Sequence, residues 1–368
     1  MRVKNLITLF FIIPFFLFPI FANGKIVERK VVLALSGTIG KGILNNPGPE
    51  MMGWNSICID KNKLYLYDSK GKFPFYAVDL YGMELRGFGS WGSGPGEINM
   101  GLPIIMSQSE KYLFVYLPFE MRLLIYDKKE FKLKDELKIP EFQVGSPFYM
   151  INDDFGIYVD MGLEKISDAF AIGYKLEEKK FKKTRLKFAP YYILPTQFGI
   201  FKKNQTLKKG VFHIDSDGNI YFASYLSSLI MGFNFEKVGM MKMYIKDEPR
   251  KIPLPNAQIE KKGGIATADP EKFTQCYLSL TSDDKNLYAL FSGEEMSLEK
   301  IMAYRMGKGK GIHLGEGKIV DVFEKKTGKY LFSFELPIFA IGIAINGEKL
   351  YLLTIENEPA ILVYSIKF

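Results

Sequence analysis

Residues Arg86-Gly-Phe-Gly-Ser-Trp-Gly-Ser-Gly-Pro-Gly-Glu97 are a glycine-rich crossing between two sets of short alternating runs. Upstream lie Ser56-Ile-Cys-Ile-Asp60, Lys63-Leu-Tyr-Leu-Tyr67, Phe75-Tyr-Ala-Val-Asp79 and Met83-Glu-Leu-Arg-Gly87, each bounded by turn residues. Apolar side chains recurring at every second position mark strands with two distinct faces. Downstream, Leu102-Pro-Ile-Ile-Met106 restarts the pattern. Four antiparallel strands repeating about every 40–50 residues are the signature of propeller blades. The fold class expected is therefore all-β: a six-bladed β-propeller of four-stranded antiparallel blades.

The blades fall near 56–101, 102–140, 147–188, 211–245, 276–337 and 338–368. The last lacks a fourth strand, while Lys25-Ile-Val-Glu-Arg-Lys-Val-Val-Leu-Ala-Leu35 is a strand with no blade of its own. An open edge and an orphan strand are both liabilities, and pairing them removes both. The segment 25–40 is thus expected to close the ring as the outer strand of the last blade. Residues 25–368 then form one domain.

Residues 1–24 carry the pattern of a secretory signal peptide. Arg2 and Lys4 form a basic start, Leu6 to Phe21 is an apolar run, and Ala22-Asn-Gly24 offers a cleavage site. The run is shorter than a membrane span needs and holds Pro14 and Pro19. Export to the periplasm or beyond is expected, with no stable span after cleavage. Of the formal charge of +8, two units belong to the leader. With no nucleic acid expected in that compartment, the basic residues, scattered and densest at Lys179-Lys180-Phe-Lys182-Lys183-Thr-Arg185, fit solubility better than affinity for anionic envelope polymers or lipid headgroups. Cys58 and Cys276 fall in or beside the first strands of blades 1 and 5, too far apart for a disulfide, and read as two buried free thiols.

Short polar turns join the first and second strands, and a tyrosine follows each: Tyr65, Tyr112, Tyr158, Tyr221, Tyr288 and Tyr351. These read as packing residues between blades. Gly92-Ser-Gly-Pro-Gly-Glu97, Asp215-Ser-Asp-Gly-Asn-Ile-Tyr221 and Asp321-Val-Phe-Glu-Lys-Lys-Thr-Gly-Lys-Tyr-Leu331 resemble segments of secreted bacterial six-bladed propellers related to the NHL repeat. That resemblance implies a fold and carries no catalytic residue.

Long connections set the functional expectation. In blades with strands a–b–c–d, the a–b and c–d turns share one rim, and the b–c and d–a connections share the other. Phe88–Gly101, Ala189–Gly210 and Lys246–Gln275 are d–a connections, and Ser292–Lys318 is a b–c connection. All are expected on one rim, and long loops concentrate binding. Candidate ligand-binding residues are Arg86, Trp91, Glu97, Tyr191, Tyr192 and His213. Trp91 reads either as a stacking platform with Glu97 as acceptor, or as part of a tight crossing in which Glu97 caps backbone N–H groups.

Only two histidines exist, His213 and His313, so a zinc site or a Ser-His-Asp triad has little to build on. Asp215-Ser-Asp217-Gly-Asn219 lacks the closing glutamate of a calcium loop and reads as a hairpin turn. No cofactor is expected, although a divalent cation held in the channel by carboxylates from several blades is left open. The expected function is a non-enzymatic exported binding propeller for a protein, peptide or glycan. The alternatives are a metal-dependent lyase or hydrolase with a site at the channel, and a scaffold with no small-molecule site.

Overall fold

The alternating runs pair where the sequence places them. In a computed structural model, the described residues are 26–45, 47, 57–60, 63–139, 146–159, 171–188, 209–215, 217–236, 240–245, 250, 252, 260–262, 265–267, 272–306, 308 and 312–368. The leader 1–24 lies outside them, as do Tyr191, Tyr192 and most of the two longest d–a connections.

After β1 (Val32–Ile39), blade 1 is β2 (Ile57–Ile59), β3 (Lys63–Tyr67), β4 (Phe75–Asp79) and β5 (Leu85–Phe88). The glycine-rich crossing contains β6 (Ser90–Trp91) and β7 (Glu97–Ile98). Blade 2 is β8 (Ile105–Gln108), β9 (Tyr112–Leu117), β10 (Arg122–Asp127) and β11 (Leu133–Lys138). Blade 3 is β12 (Phe148–Met150), β13 (Phe155–Val159), β14 (Ala171–Glu177) and β15 (Lys180–Phe188). Blade 4 is β16 (Gly210–Ile214), β17 (Ile220–Ser224), β18 (Ile230–Glu236) and β19 (Met240–Ile245). Three short strands follow: β20 (Glu260–Lys262), β21 (Ile265–Thr267) and β22 (Lys272–Thr274). Blade 5 is β23 (Tyr277–Ser282), β24 (Asn286–Phe291), β26 (Gly317–Glu324) and β27 (Tyr330–Ala340), with β25 (Glu295–Ser297) and helix α1 (Leu298–Arg305) inserted after β24. Blade 6 is β28 (Gly342–Asn346), β29 (Lys349–Thr354) and β30 (Ala360–Lys367).

β1 completes blade 6, whose order is β1-β30-β29-β28. It runs antiparallel to β30 from Val32↔Lys367 to Ile39↔Ile361, with a bulge between Leu35 and Gly37. The closing strand therefore begins seven residues later than the run from Lys25 suggested. The preceding residues go elsewhere: Glu28 forms a parallel bridge with Ser333 on the outer strand of blade 5. Arg29 donates its N–H to the Ser333 carbonyl at 2.9 Å, and its guanidinium lies 5.1 Å from the centroid of the Phe332 ring. A charged segment thus gains a cation–π contact at blade 5, while the apolar residues after it seal blade 6.

The core is the space between blades. One cluster joins blade 6 to blade 1 through Ile39, Ile361, Val363, Leu64, Leu66 and Val78. A second joins blades 1 and 2, and the largest runs through blades 2 to 6. Middle strands are covered on both faces, so Lys63-Leu-Tyr-Leu-Tyr67 is buried at every position after Lys63.

The tyrosine series is more selective than its spacing suggested. Tyr65, Tyr221 and Tyr288 point their hydroxyls at the aspartate of their own a–b turn: Asp60 at 3.4 Å, Asp215 at 3.5 Å and Asp283 at 2.6 Å. Tyr112 opens its strand opposite Asp127, and the packing position in blade 2 is Phe114, which faces Ser107 as Tyr65 faces Cys58. Two of these aspartates also receive a lysine from the next blade. Lys128 Nζ lies 2.5 Å from Asp60 and Lys325 Nζ lies 2.8 Å from Asp215. Each lysine also donates to a turn carbonyl of its own blade, Ser109 at 2.9 Å and Asp283 at 3.0 Å. Both thiols are free, but Cys58 is only half-buried, whereas Cys276 is buried.

The two faces of β1 should respond differently to truncation. Ile39 is 5% exposed and Leu35 58% exposed. Ile39→Ala is expected to lower unfolding free energy in urea by about 2–5 kcal/mol, and Leu35→Ala by less than about 0.5 kcal/mol.

Candidate functional site

The glycine-rich crossing is held by the next blade. Glu97 accepts the Gly94 N–H at 2.8 Å, and a side chain at Gly92 (φ +149°) would occupy the space its carboxylate fills. Gly96 (φ +75°) donates its N–H to Glu136 at 2.6 Å. Buried Arg122 binds this assembly through Nε to Glu120 at 2.7 Å, Nη1 to Glu136 at 2.9 Å and Nη2 to the Glu97 carbonyl at 2.8 Å. Burial pushes the Glu136 carboxyl up, but Arg122 and the Gly96 N–H outweigh it and hold the group below its ordinary range. Trp91 packs into the core of blades 1 and 2, with its indole N–H on the Gly71 carbonyl at 2.8 Å. Of the two readings of this loop, the geometry is that of a tight, capped crossing. Arg122, Glu120 and Glu136 were missed because they lie on another blade; no local spacing connects them to the loop.

The other sequence candidates are not gathered there. Arg86 lies on the outer strand of blade 1, 4.7 Å from the centroid of the Phe131 ring in the c–d turn of blade 2. His213 lines the central channel and hydrogen-bonds through Nε2 to Ser282 at 2.9 Å. Burial pushes its pKa down from 6.5 to about 4, with Asp215 opposing and Lys325 reinforcing the shift.

All six innermost strands contribute to the channel wall, which encloses about 40 Å³. That is room for a few waters, far below the hundreds of Å³ of an ordinary ligand pocket. Several of its polar side chains stitch neighbouring blades. Ser107 Oγ accepts the Met150 N–H at 3.0 Å, and Thr281 Oγ1 accepts the Ile345 N–H at 3.2 Å. The Gln108 amide donates to the Ile59 carbonyl. The lining contains no carboxylate, and among the described residues no three His, Cys, Asp or Glu gather as a metal-binding set.

On the d–a/b–c rim the long connections lock together. β22, from a d–a connection, pairs antiparallel with β25, from a b–c connection. Buried Gln275 fastens both ends of the b–c insertion: its Oε1 accepts from the Ser292 hydroxyl at 3.3 Å and the Gly315 N–H at 3.0 Å. Ser297 caps α1 by accepting the Lys300 N–H at 3.2 Å. Arg250, within the longest d–a segment, grips Asp321 with Nε–Oδ2 at 3.0 Å and Nη2–Oδ1 at 2.8 Å.

Two connections of this rim and the end of β27 converge between blades 5 and 6. His313 stacks on Phe339 with centroids 3.7 Å apart and planes 8° apart. Its Nδ1 is 2.7 Å from Glu316 Oε2. Phe339 donates its N–H to Glu356 at 3.0 Å, and Lys318 Nζ lies 5.7 Å from the Phe339 centroid. Burial, and then the charge of Glu316, raise the pKa of nearby Tyr304 on α1. This is a half-buried aromatic shelf edged by carboxylates and an ammonium. The stacking partner of His313 arrives from a different strand, β27.

No protein-family model matches the chain, and no curated protein matches it in sequence. Solved structures share the fold. A member of the DUF4221 family from Bacteroides vulgatus is 10% identical, with TM-score 0.52, covering 92% of this chain and 99% of that one. A Bacteroides fragilis protein provisionally described as exported is 11% identical, with TM-score 0.51, covering 95% and 97%. Virginiamycin B lyase from Staphylococcus aureus is 12% identical, with TM-score 0.44, covering 90% and 99%, too distant to bear on activity.

Two outcomes follow for these polar clusters. Arg122→Met leaves two partly buried carboxylates without their partner and is expected to cost about 3 kcal/mol in urea unfolding, against about 1 kcal/mol for Glu97→Gln. His213 is held neutral in the fold, so the unfolded chain binds more protons between pH 6.5 and about 4. Its contribution is present above pH 6.5 and is lost as the pH falls toward 4. His213→Asn should flatten the stability curve across that window.

Proposed function

We propose that the chain is an exported, NHL-like propeller that binds a protein, peptide or glycan on its d–a/b–c rim without catalysing a reaction. The observation that carries this reading is the interlocking of long connections on one rim, through β22–β25 and Gln275, beside the His313–Phe339 shelf. Short turns occupy the opposite rim and stitching side chains the channel, so the shelf is the better-formed recognition surface. A flat ring stack suits the face of a sugar or an aromatic side chain, and Glu316 and Glu356 suit hydroxyl or amide donors.

The lyase alternative is not favoured. The described channel wall offers no carboxylate set, and its polar groups already bridge blades. Among the described residues no helix is long and apolar enough to cross a membrane. The apolar leader supports export, with cleavage near Gly24.

Glycan and peptide arrays probed with the mature protein test the reading. A ligand is expected whose affinity falls about tenfold or more in Phe339→Ala and His313→Ala. Tyr81→Ala, at a 79% exposed site on the opposite rim, should leave it unchanged. Binding lost only in Tyr81→Ala would move the site to the other rim.

A further inference from the structure

Five of the six outer strands carry charge, and the sixth carries none. Arg86 stands in β5, Asp135 in β11, Lys180 in β15, Lys242 in β19 and Glu335 in β27. β1, Val32-Leu-Ala-Leu-Ser-Gly-Thr-Ile39, has no charged residue and no proline. The outer side of β27 is also covered in part, since Val27 accepts the Ser333 N–H at 2.8 Å and Arg29 donates to the Ser333 carbonyl. β1 ends its sheet, and among the described residues no strand lies along its outer side. Val32 and Leu35 are each 58% exposed, and Ala34, Ser36 and Thr38 are exposed beside them.

An edge strand presents a row of unpaired N–H and C=O groups, and charges, prolines or covering segments normally keep other strands away. β1 has only a bulge, which falls after Leu35. Val32–Leu35 pairs with β30 in unbroken register, so that stretch of the edge is regular.

We propose that this edge pairs with the same edge of a second copy of the chain, giving an antiparallel dimer joined through blade 6 of each. Two identical strands pair antiparallel about a two-fold axis normal to the sheet, which sets side chains of the same face opposite each other. An axis at Ala34 places Ala34 opposite Ala34, and Leu33 opposite Leu35, within the regular stretch. Farther along, Lys30 meets Thr38, so no like charges are opposed. A second copy thus brings the one outer strand of this protein that puts no ion into the seam. Pairing occupies both edges, so assembly closes at two rather than running on as a fibre. Eight residues from each chain make a small interface, and the association is correspondingly weak and concentration-dependent. The edge lies on the outer wall, apart from the His313–Phe339 shelf, so either assignment can fail alone.

The test is sedimentation velocity on the mature chain between about 1 and 200 μM. The wild type is expected to sediment as one chain at the low end and as two at the high end. Ala34→Lys sets two ammonium groups against each other across the seam and should weaken self-association about fivefold or more. Met302→Lys adds the same charge on the exposed side of α1 and should change it by less than about twofold. Ala34→Glu alone should weaken it as Ala34→Lys does, and an equimolar mixture of the two variants should recover the dimer. Circular dichroism should show all variants folded. A wild type that stays monomeric throughout would overturn the proposal, as would assemblies larger than two or an Ala34→Lys variant that dimerises undiminished. Failure of the mixture to recover the dimer would overturn the antiparallel axis at Ala34.

Discussion

Antiparallel pairing of β1 with β30 joins the two ends of the chain and turns an arc of blades into a ring. Without it, β30 would present an unpaired edge and the interface between blades 6 and 1 would lose Ile39. The constraint is costly in chain entropy, because nearly the whole sequence separates the partners, but closure entropy grows only slowly with loop length. What it secures is mutual burial: every blade has two neighbours, and both faces of each middle strand are covered. The parallel bridge between Glu28 and Ser333 extends the clasp to blade 5 before the chain reaches blade 6.

Closure also assigns work to the polar residues near the axis. Hydroxyls on the innermost strands, such as Ser107 and Thr281, cross to backbone N–H groups of the next blade. Farther out on the a–b rim, Lys128 and Lys325 reach back to Asp60 and Asp215. These groups are committed to holding the ring, so recognition is displaced to insertions. The b–c insertion of blade 5 acquires rigidity from Gln275, β25 and the capped helix α1. It can therefore hold His313 flat against Phe339.

Nearly all of the fold was legible in the sequence, since period-two runs and polar turns are local signals and the short last blade announced its missing partner. The start of the closing strand was not. Ile26 and Val27 look like strand residues, and only the tertiary contacts of Arg29 with blade 5 divert them. Far less of the site could be read. Glu97 was recognisable as a cap, yet Arg122 and Glu136 come from the next blade. The setting of His313 had no local signal, because Phe339 reaches it from β27 and is itself held by Glu356 from blade 6. His213 stands on the channel wall, where its ring bonds Ser282 and meets no other sequence-predicted binding residue.

Amide hydrogen exchange on the mature protein tests ring closure most directly. If β1 is an integral strand, the inward-bonded amides of Leu33–Ile39 exchange only through global opening, with the same protection and denaturant dependence as β30. Fast exchange in Leu33–Ile39 while β28–β30 stay protected would contradict it, showing a wheel that holds without its leading strand.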